Sequence, residues 1–397
     1  MKKTPSYEKE PYLRELETKI ISVGTDNGFP YADLEDSVLY PEGGGQPGDK
    51  GWIGSIAVVD VRRSEGALRH YLEAPVEPGV CKVVLDWQRR FDHMQQHTAQ
   101  HLLTAIAEDR FGWPTTAFHL GESGSDVELD VPSLEAQELA DLEEAVAAEI
   151  RAARPVGSKR VALQGFEKLN VRTRGLPAGH KGTIRLVEIE EIDLNTCGGT
   201  HVQSTAELES LKITSTEPMR GGTRVYFIAG TRVRRRLGEE LQRSSELRSL
   251  LGVPDSEISA AVRSRFDQIQ ELIHREKSLR EELIEMSAEA LSHRPGDLVN
   301  LHLKTADPGF LQQLARQFTH RAPGKAALLT GGTDADGFFV VVAGDQVNCD
   351  VQSLGRQVAM LLHGRGGGSG RVFQGRATRL FKRKEALALF QLELERD

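Results

Sequence analysis

Two short segments of this chain, HTAQH at 97–101 and CGGTH at 197–201, each set metal-competent side chains four positions apart. In a helix, positions i and i+4 lie one above the other, so His97 and His101 can aim two imidazoles at one point. The apolar residues Ala99, Leu102, Leu103, Ile106 and Ala107 predict a helix over about 89–110, with that pair beside its core. In the second segment Gly198, Gly199 and Thr200 permit a tight turn between Cys197 and His201. A thiolate and three imidazoles suit a tetrahedral Zn²⁺ ion. A joint site requires the chain from 102 to 196 to bring a loop back to that helix. Spacing alone leaves one shared site and two separately satisfied pairs equally open. The sequence H-E-x-x-H is absent because position 98 is Thr, which argues against a metalloprotease of that kind.

Length and composition set the frame for this pattern. A chain of 397 residues predicts two to four domains. With 39% hydrophobic and 27% charged residues it has an ordinary soluble composition. No apolar run reaches about 18 residues, so no membrane helix is expected. The start, MKKTPSYEKEPYLRELETK, has no apolar segment behind its lysines and does not read as a signal peptide. Cys81, Cys197 and Cys349 are odd in number and far apart, which points to a reducing, cytoplasmic setting. The net charge of −8 argues against indiscriminate nucleic-acid binding but leaves room for a local basic face. Two basic stretches qualify: Arg232, Arg234, Arg235 and Arg236, and the tail from Arg365 to Lys384.

Hydrophobic periodicity divides the chain. Residues 1–88 carry short alternating runs such as SVLY and IAVVDV and predict a small barrel or sheet. Residues 89–228 read as α+β: the histidine helix, the strand VELDV, a long helix capped at Ser133, then strands TIRLVEI, ELESLKITSTE and TRVYFIAG. Residues 229–298 read as helical. Val262, Phe266, Ile269, Ile273, Leu279, Leu283, Met286 and Ala290 form an amphipathic stripe there, read as a packed spacer, a coiled coil or a helical hairpin. Residues 299–397 form a last α/β unit with strands AALLTG and GFFVVVAG and a helix around SLGRQVAMLL. The fold class is α+β and multidomain.

Five ordered motifs carry a family resemblance. HTAQHLL followed by CGGTHV resembles the editing domains of alanyl- and threonyl-tRNA synthetases. YPEGGGQPGDKG at 40–51 looks like the glycine-rich loop of the alanine branch. DWQRRFDHMQQHTAQHLL and FHLGESGSDVELD (118–130) resemble the free-standing alanyl-tRNA editing proteins of AlaX type, and PYLRELETKIISV is similar to that family's opening strand. The last hundred residues resemble the C-terminal domain of alanyl-tRNA synthetases, shared with DHH-type phosphoesterases. Their VFQGRATRL departs from that pattern after HGRGGGSGR. The chain opens on the editing module without room for an aminoacylation core. The resemblance therefore implies a long-form trans-editing enzyme. It implies an N-terminal β-barrel, a zinc-containing α+β editing domain, a helical linker and a DHH-associated-type C-terminal domain that binds tRNA and dimerises.

The implied substrate is alanine tRNA mischarged with serine or glycine, and the reaction is hydrolysis of the ester to the terminal ribose. A synthetase pocket rejects poorly an isostere that adds one hydroxyl or an analogue one methyl smaller, so a second site is needed. The resemblance makes His97, His101, Cys197 and His201 the ligands of one Zn²⁺. Four protein ligands make a zinc structural, and three plus water make it catalytic; the resemblance favours an available position. It also implies that His119 lies near the scissile bond, against a structural histidine as the plain alternative. The hydroxyl of Thr98, in the same helical turn, is a candidate to sense serine, against ordinary packing. Gln46 is a candidate contact for the terminal adenosine, and Gly43, Gly44 and Gly45 offer backbone N–H groups or simply form a turn. Gly366, Gly367, Gly368 and Arg371 are candidates for RNA phosphates, as are the arginines at 232–236. Two other functions stay in view. One is a non-catalytic tRNA-binding protein with a structural zinc. The other is a DHH-type phosphodiesterase, which Met94 opposes by breaking the triplet begun by Asp92 and His93.

Overall fold

The alternating runs at the N-terminus close on themselves. After a short helix, α1 (Ser6–Lys9), six strands form a barrel: β1 (Glu15–Asp26), β2 (Phe29–Leu34), β3 (Gly51–Ile53), β4 (Ile56–Ser64), β5 (Ala67–Leu72) and β6 (Gly79–Leu85). Their order is β1-β2-β5-β4-β3-β6, with every neighbouring pair antiparallel. Closure removes the free edges, and Ile20, Ala32, Val58, Val61, Leu72 and Val83 fill the core. The computed structural model describes residues 4–64, 67–173 and 182–395. It falls into two compact units, Met1–Glu246 and Leu247–Asp397.

The first unit continues with α2 (Trp87–Phe111), β7 (Thr115–Leu120), β8 (Ser125–Leu129), α3 (Ala136–Arg151), β9 (Val156–Val161), α4 (Leu163–Phe166), β10 (Ile184–Ile189), β11 (Asp193–Thr196), β12 (Leu211–Met219) and β13 (Gly222–Ala229). One sheet runs β12-β13-β8-β7 and a second runs β11-β10-β9. Helix α2 touches β7, β8, β11, β13 and α3. The carboxylate of Asp86 caps its first turn, accepting from the Arg89 N–H at 3.1 Å, and Gly112 at φ +72° ends it. Leu102, Leu103 and Ile106 are enclosed, each worth about 1.5–3 kcal/mol of burial. The cap of α3 differs from the expectation. Glu135, not Ser133, begins it, in a reciprocal capping box with Glu138.

Every residue from 93 to 107 of α2 is buried, the polar ones included. Periodicity alone gives this helix one apolar face. Much of its polar face is interior because side chains there find partners. Gln96 donates to Ala229 O and accepts from Ala229 N, both at 2.9 Å. Gln95 donates to Glu207 O at 2.7 Å and accepts from Thr231 N at 3.1 Å.

Helix α5 (Thr231–Leu251) carries the division between the units. The second unit contains α6 (Ile258–Ser292), β14 (Leu298–Leu303), α7 (Pro308–Arg321), β15 (Ala326–Gly332), β16 (Gly337–Ala343), α8 (Val351–Leu361), β17 (Arg365–Ser369), β18 (Val372–Ala377) and α9 (Arg383–Leu394). Its sheet runs β14-β15-β16-β18-β17, parallel only between β14 and β15. Helices cover both faces, which explains the unbroken apolar strands. Ala327, Leu329, Val340 and Val342 pack with Leu311, Leu314 and Phe318 of α7 and Ile284 of α6. Ala326, Leu328, Phe339 and Val341 face Leu354, Val358 and Phe390 of α8 and α9. Ile284, Ala288 and Leu291 are the buried residues of α6, whereas Phe266, Ile269, Ile273, Leu279, Leu283 and Met286 of its stripe are at least half exposed. Among the described residues no helix is long and apolar enough to cross a membrane.

Candidate metal centre

The return of the chain at β11 delivers the second half of the cluster to the first. Asp193–Thr196 pairs with β10, and the next residues, CGGTH, turn toward α2. Arg185 of β10 grips this turn, donating to Cys197 O at 2.8 Å and Gly199 O at 2.9 Å. A Cβ on Gly199 would lie 2.2 Å from the His97 ring, so only glycine lets the loop come this close.

His97, His101, Cys197 and His201 bring one ligand atom each to within 4.8 Å of one another. Cys197 Sγ is 3.4 Å from His97 Nε2 and 3.3 Å from His201 Nε2. Sulfur and nitrogen sharing a tetrahedral zinc stand about 3.6 Å apart, from bond lengths of about 2.3 and 2.0–2.1 Å. The donor set and its spacing fit that ion.

The other ring nitrogens are all engaged. His97 Nδ1 donates to Gln46 Oε1 and His101 Nδ1 to Asp193 Oδ2, both at 2.9 Å, and His201 Nδ1 shares a hydrogen bond with Thr98 Oγ1 at 3.0 Å. Each imidazole thus engages its Nδ1 outward and turns its Nε2 toward the sulfur, the arrangement metal ligands need. Burial pushes the Cys197 thiol up, but the imidazoles of His97 and His201 and the bond to His101 outweigh it and hold the thiol well below its usual range. Burial lowers His101, yet its bonds to Asp193 and Cys197 raise it to about 10. His201 is lowered to about 3, chiefly by burial. A dication bound by the sulfur and the three rings would displace a proton from this set.

His97, His101 and Cys197 of the cluster line a cavity of about 1050 Å³. Gly44, Gly45 and Phe118 line it near His97, and Gln100, Thr104, Thr115 and Arg172 line it further along.

The comparisons with known proteins agree with this geometry. The family described as "Threonyl and Alanyl tRNA synthetase second additional domain" matches residues 184–226. A mouse protein named "Alanyl-tRNA editing protein Aarsd1" is 37% identical, the match covering 97% of this chain and 96% of that one. The chain belongs to the alanyl-tRNA editing proteins. "Alanyl-tRNA editing protein AlaX-L" of Pyrococcus horikoshii is 27% identical over 93% of each chain. An "Alanine--tRNA ligase" of Archaeoglobus fulgidus is 28% identical over 96% of this chain and 43% of that one.

Several residues of this editing protein stand elsewhere than the sequence predicts. The Thr98 hydroxyl is buried against His201 and Val202 N, at 3.0 and 3.2 Å, so its hydrogen bonds hold the His201 ring. Gln46 is fully buried; its oxygen accepts from His97 and Thr200 N, and its amide donates to Thr200 Oγ1. It supports His97 instead of facing RNA. Successive strand residues point to opposite faces: Phe118 lines the cavity, and His119, its neighbour in β7, does not. The His119 side chain is 62% exposed and bonds Asp126 at 3.1 Å, in a surface group whose carboxylates Arg224 neutralises. Gly43 and Gln46 close a turn with reciprocal backbone bonds, and Gly44 and Gly45 sit within it.

Two of the candidate arginines, Arg232 and Arg371, are committed as well. Arg232 is buried in a fork with Asp92 and donates to Gly121 O at 2.8 Å, so it is not a phosphate contact. The same bond makes Asp92 structural, and His93 is buried beside it. Arg371 donates to the carbonyls of Gly344, Val347 and Cys349. Gly366, Gly367 and Gly368 form the exposed edge strand β17; a Cβ on Gly366 or Gly368 would strike β18 backbone oxygens at 2.2 and 2.0 Å.

Asp193, which the sequence reading missed, bridges the centre to the cavity. Its second oxygen accepts from Arg172 Nε at 3.0 Å. Lone acidic residues before a cysteine carry no distinctive signal. Asp193→Asn and Gln46→Leu are each expected to weaken metal binding about 10–100-fold, measured by competition with a chelator. Unchanged affinity in both would sink the orienting role.

Proposed function

We propose that this chain hydrolyses the aminoacyl ester of mischarged alanine tRNA, removing serine chiefly and glycine also, with one Zn²⁺ held by His97, His101, Cys197 and His201. The observation that carries the reading is the convergence of three Nε2 atoms on one thiolate, each fixed by its own Nδ1 partner. Bound there, zinc supplies the positive charge that polarises an ester carbonyl or acidifies a water. The chain's own residues do the rest. The cavity has the size of a small-ligand site and takes the aminoacylated terminal nucleoside. Phe118 offers a stacking face for its base. Gly44 and Gly45 let the backbone approach the ribose, and the buried polar shell around Gln46, Thr98 and Asp193 holds the ligands still. The names of the relatives support the alanine tRNA as substrate.

The test is deacylation of Ser-, Gly- and Ala-tRNA(Ala), with metal assayed on the same preparation. Loss of serine or glycine with alanine spared is the expected result. One observation favours a second reading: four protein ligands suffice to close a tetrahedral zinc, which makes it structural in a tRNA-binding protein. Bound zinc without hydrolysis of any ester would select it.

The reading includes a second copy of the chain as partner, through α6 and the C-terminal unit. Its support is the exposed row Phe266, Ile269, Leu272, Ile273 and Leu279. Sedimentation is expected to give twice the chain mass, and Ile269→Glu with Leu272→Glu the single mass. A monomer in the unaltered protein would remove the partner.

A further inference from the structure

The C-terminal unit has a cleft of its own. Its volume is about 320 Å³, at the lower end for small-molecule sites. Two rungs of the sheet make its floor. Phe338, Arg376 and Arg365 stand opposite one another across β16, β18 and β17, and Val340, Gln374 and Gly367 form the next rung. Directly opposed residues on antiparallel strands share a face, and all six line the cleft. Leu311 and Gln312 of α7 form its wall.

Three features of this floor ask for a ligand. Arg365 and Arg376 are like charges set directly opposite each other, which is unfavourable in a sheet. Both are exposed, and neither makes an ion pair among the described residues. The Arg376 guanidinium lies over the Phe338 ring, 5.5 Å from its centroid, so charge and a flat apolar face occur together at one end of the cleft. Gly367 leaves the floor bare beside them. A Cβ there would meet nothing within 4 Å, unlike one on Gly366 or Gly368, so neither packing nor a left-handed backbone requires glycine at this position.

We propose that this cleft binds a free nucleoside monophosphate. The base lies on the apolar surface of Phe338, Val340 and Leu311, over the space that Gly367 leaves open. The side-chain amides of Gln312 and Gln374 make no hydrogen bond among the described residues, and each offers a donor and an acceptor to a base edge. The phosphate meets Arg365 and Arg376 and removes their repulsion. Two adjacent guanidiniums suit a phosphate monoester, with a charge of about −1.5 to −2 near neutral pH, better than the diester of an RNA chain, with about −1. Guanidinium forks bind such a group through paired charge-assisted hydrogen bonds. Binding here needs neither zinc nor ester hydrolysis.

The experiment is isothermal titration of the full chain with AMP, with adenosine, and with a single-stranded oligoribonucleotide that lacks terminal phosphates. AMP is expected to bind about ten-fold or more tighter than adenosine, and the oligoribonucleotide is expected not to displace it. Arg365→Gln is expected to weaken AMP about ten-fold or more and to leave adenosine unchanged. Gly367→Val fills the floor, so it is expected to weaken AMP and adenosine alike, with thermal unfolding unshifted. Arg365 is exposed, which keeps the test open if the valine variant misfolds. No binding of AMP, or equal affinity for AMP and adenosine, overturns the proposal. AMP affinity that survives both substitutions puts the nucleotide elsewhere and overturns it as well. Displacement of AMP by the oligoribonucleotide makes the cleft a contact for RNA and overturns the free nucleotide as its ligand.

Discussion

Replacing Cys197 by alanine is expected to lower zinc affinity by about 10²–10³-fold and to abolish deacylation of Ser-tRNA(Ala) at ordinary zinc levels. Structural zinc sites of four ligands bind with about 10–16 kcal/mol, so one ligand in four carries roughly 3 kcal/mol, and 1.4 kcal/mol is a factor of ten. Cys197 is the one anion of the set, and the imidazoles around it hold its thiol ionised. Its removal leaves three neutral rings to bind a dication and takes away the charge that offset it. The loss falls on metal more than on fold, because the turn keeps its Arg185 bonds to Cys197 O and Gly199 O, which are backbone contacts. Metal content by mass spectrometry and single-turnover deacylation on the same sample decide it. A variant stripped of zinc that retains the full rate would take the metal out of the mechanism.

How far the sequence reaches is clearest on α2. The recurrence of Ala99, Leu102, Leu103 and Ile106 was enough to place the helix, and the four-residue spacing of its histidines was enough to put them on one face. Nothing in that pattern says that the opposite face is interior too. Periodicity assigns polar residues to water, and here Gln95, Gln96 and Thr98 are buried because backbone groups from distant loops come to meet them. The barrel was legible because closure needs only short alternating strands. The cap of α3 was misplaced by two residues because Glu135 and Ser133 both satisfy the local rule, and a reciprocal bond with Glu138 decides between them.

The site shows a similar limit. Residue type and spacing single out the four candidate ligands, and the resemblance joins them in one set, but roles in the surrounding shell depend on direction. His119 and Phe118 are neighbours in sequence and face opposite sides of β7, so the choice between them turns on which face meets the cavity. Gln46 and Thr98 stand where a substrate contact and a ligand support are indistinguishable by type, and their hydrogen bonds assign them to support. Arg232 and Arg371 belong to runs that look like exposed basic patches. Each is held instead by groups no local pattern contains, Asp92 in one case and three carbonyls in the other.

Arg90→Met is expected to destabilise the first unit by about 3–5 kcal/mol, the range for breaking a buried ion pair from one side. Arg90 and Asp49 are both almost fully enclosed, 0% and 1% exposed. Arg90 Nε donates to Asp49 Oδ2 at 2.9 Å, and the guanidinium also donates to Pro11 O and Val38 O at 2.8 and 2.6 Å. Asp49 in turn accepts from Tyr40 N at 2.6 Å. One side chain of α2 thus pins both ends of the glycine-rich loop and the N-terminal segment to the helix that carries His97 and His101. Methionine fills the volume but leaves the carboxylate with the Tyr40 N–H and no counter-charge, and takes the guanidinium donor from two carbonyls, in a place water does not reach. For a unit of this size the loss corresponds to a fall in Tm of roughly 6–20 °C. The same change is expected to weaken zinc, because the loop carries Gln46, which orients His97. Arg90→Lys separates the two effects of charge and fork: it restores a cation to Asp49 but cannot reach the carboxylate and both carbonyls in one plane, so it is expected to recover only part of the stability. Thermal unfolding with and without zinc measures both consequences. An Arg90→Met protein as stable as the unaltered chain would mean that the pair contributes no more than a well-packed apolar contact in its place.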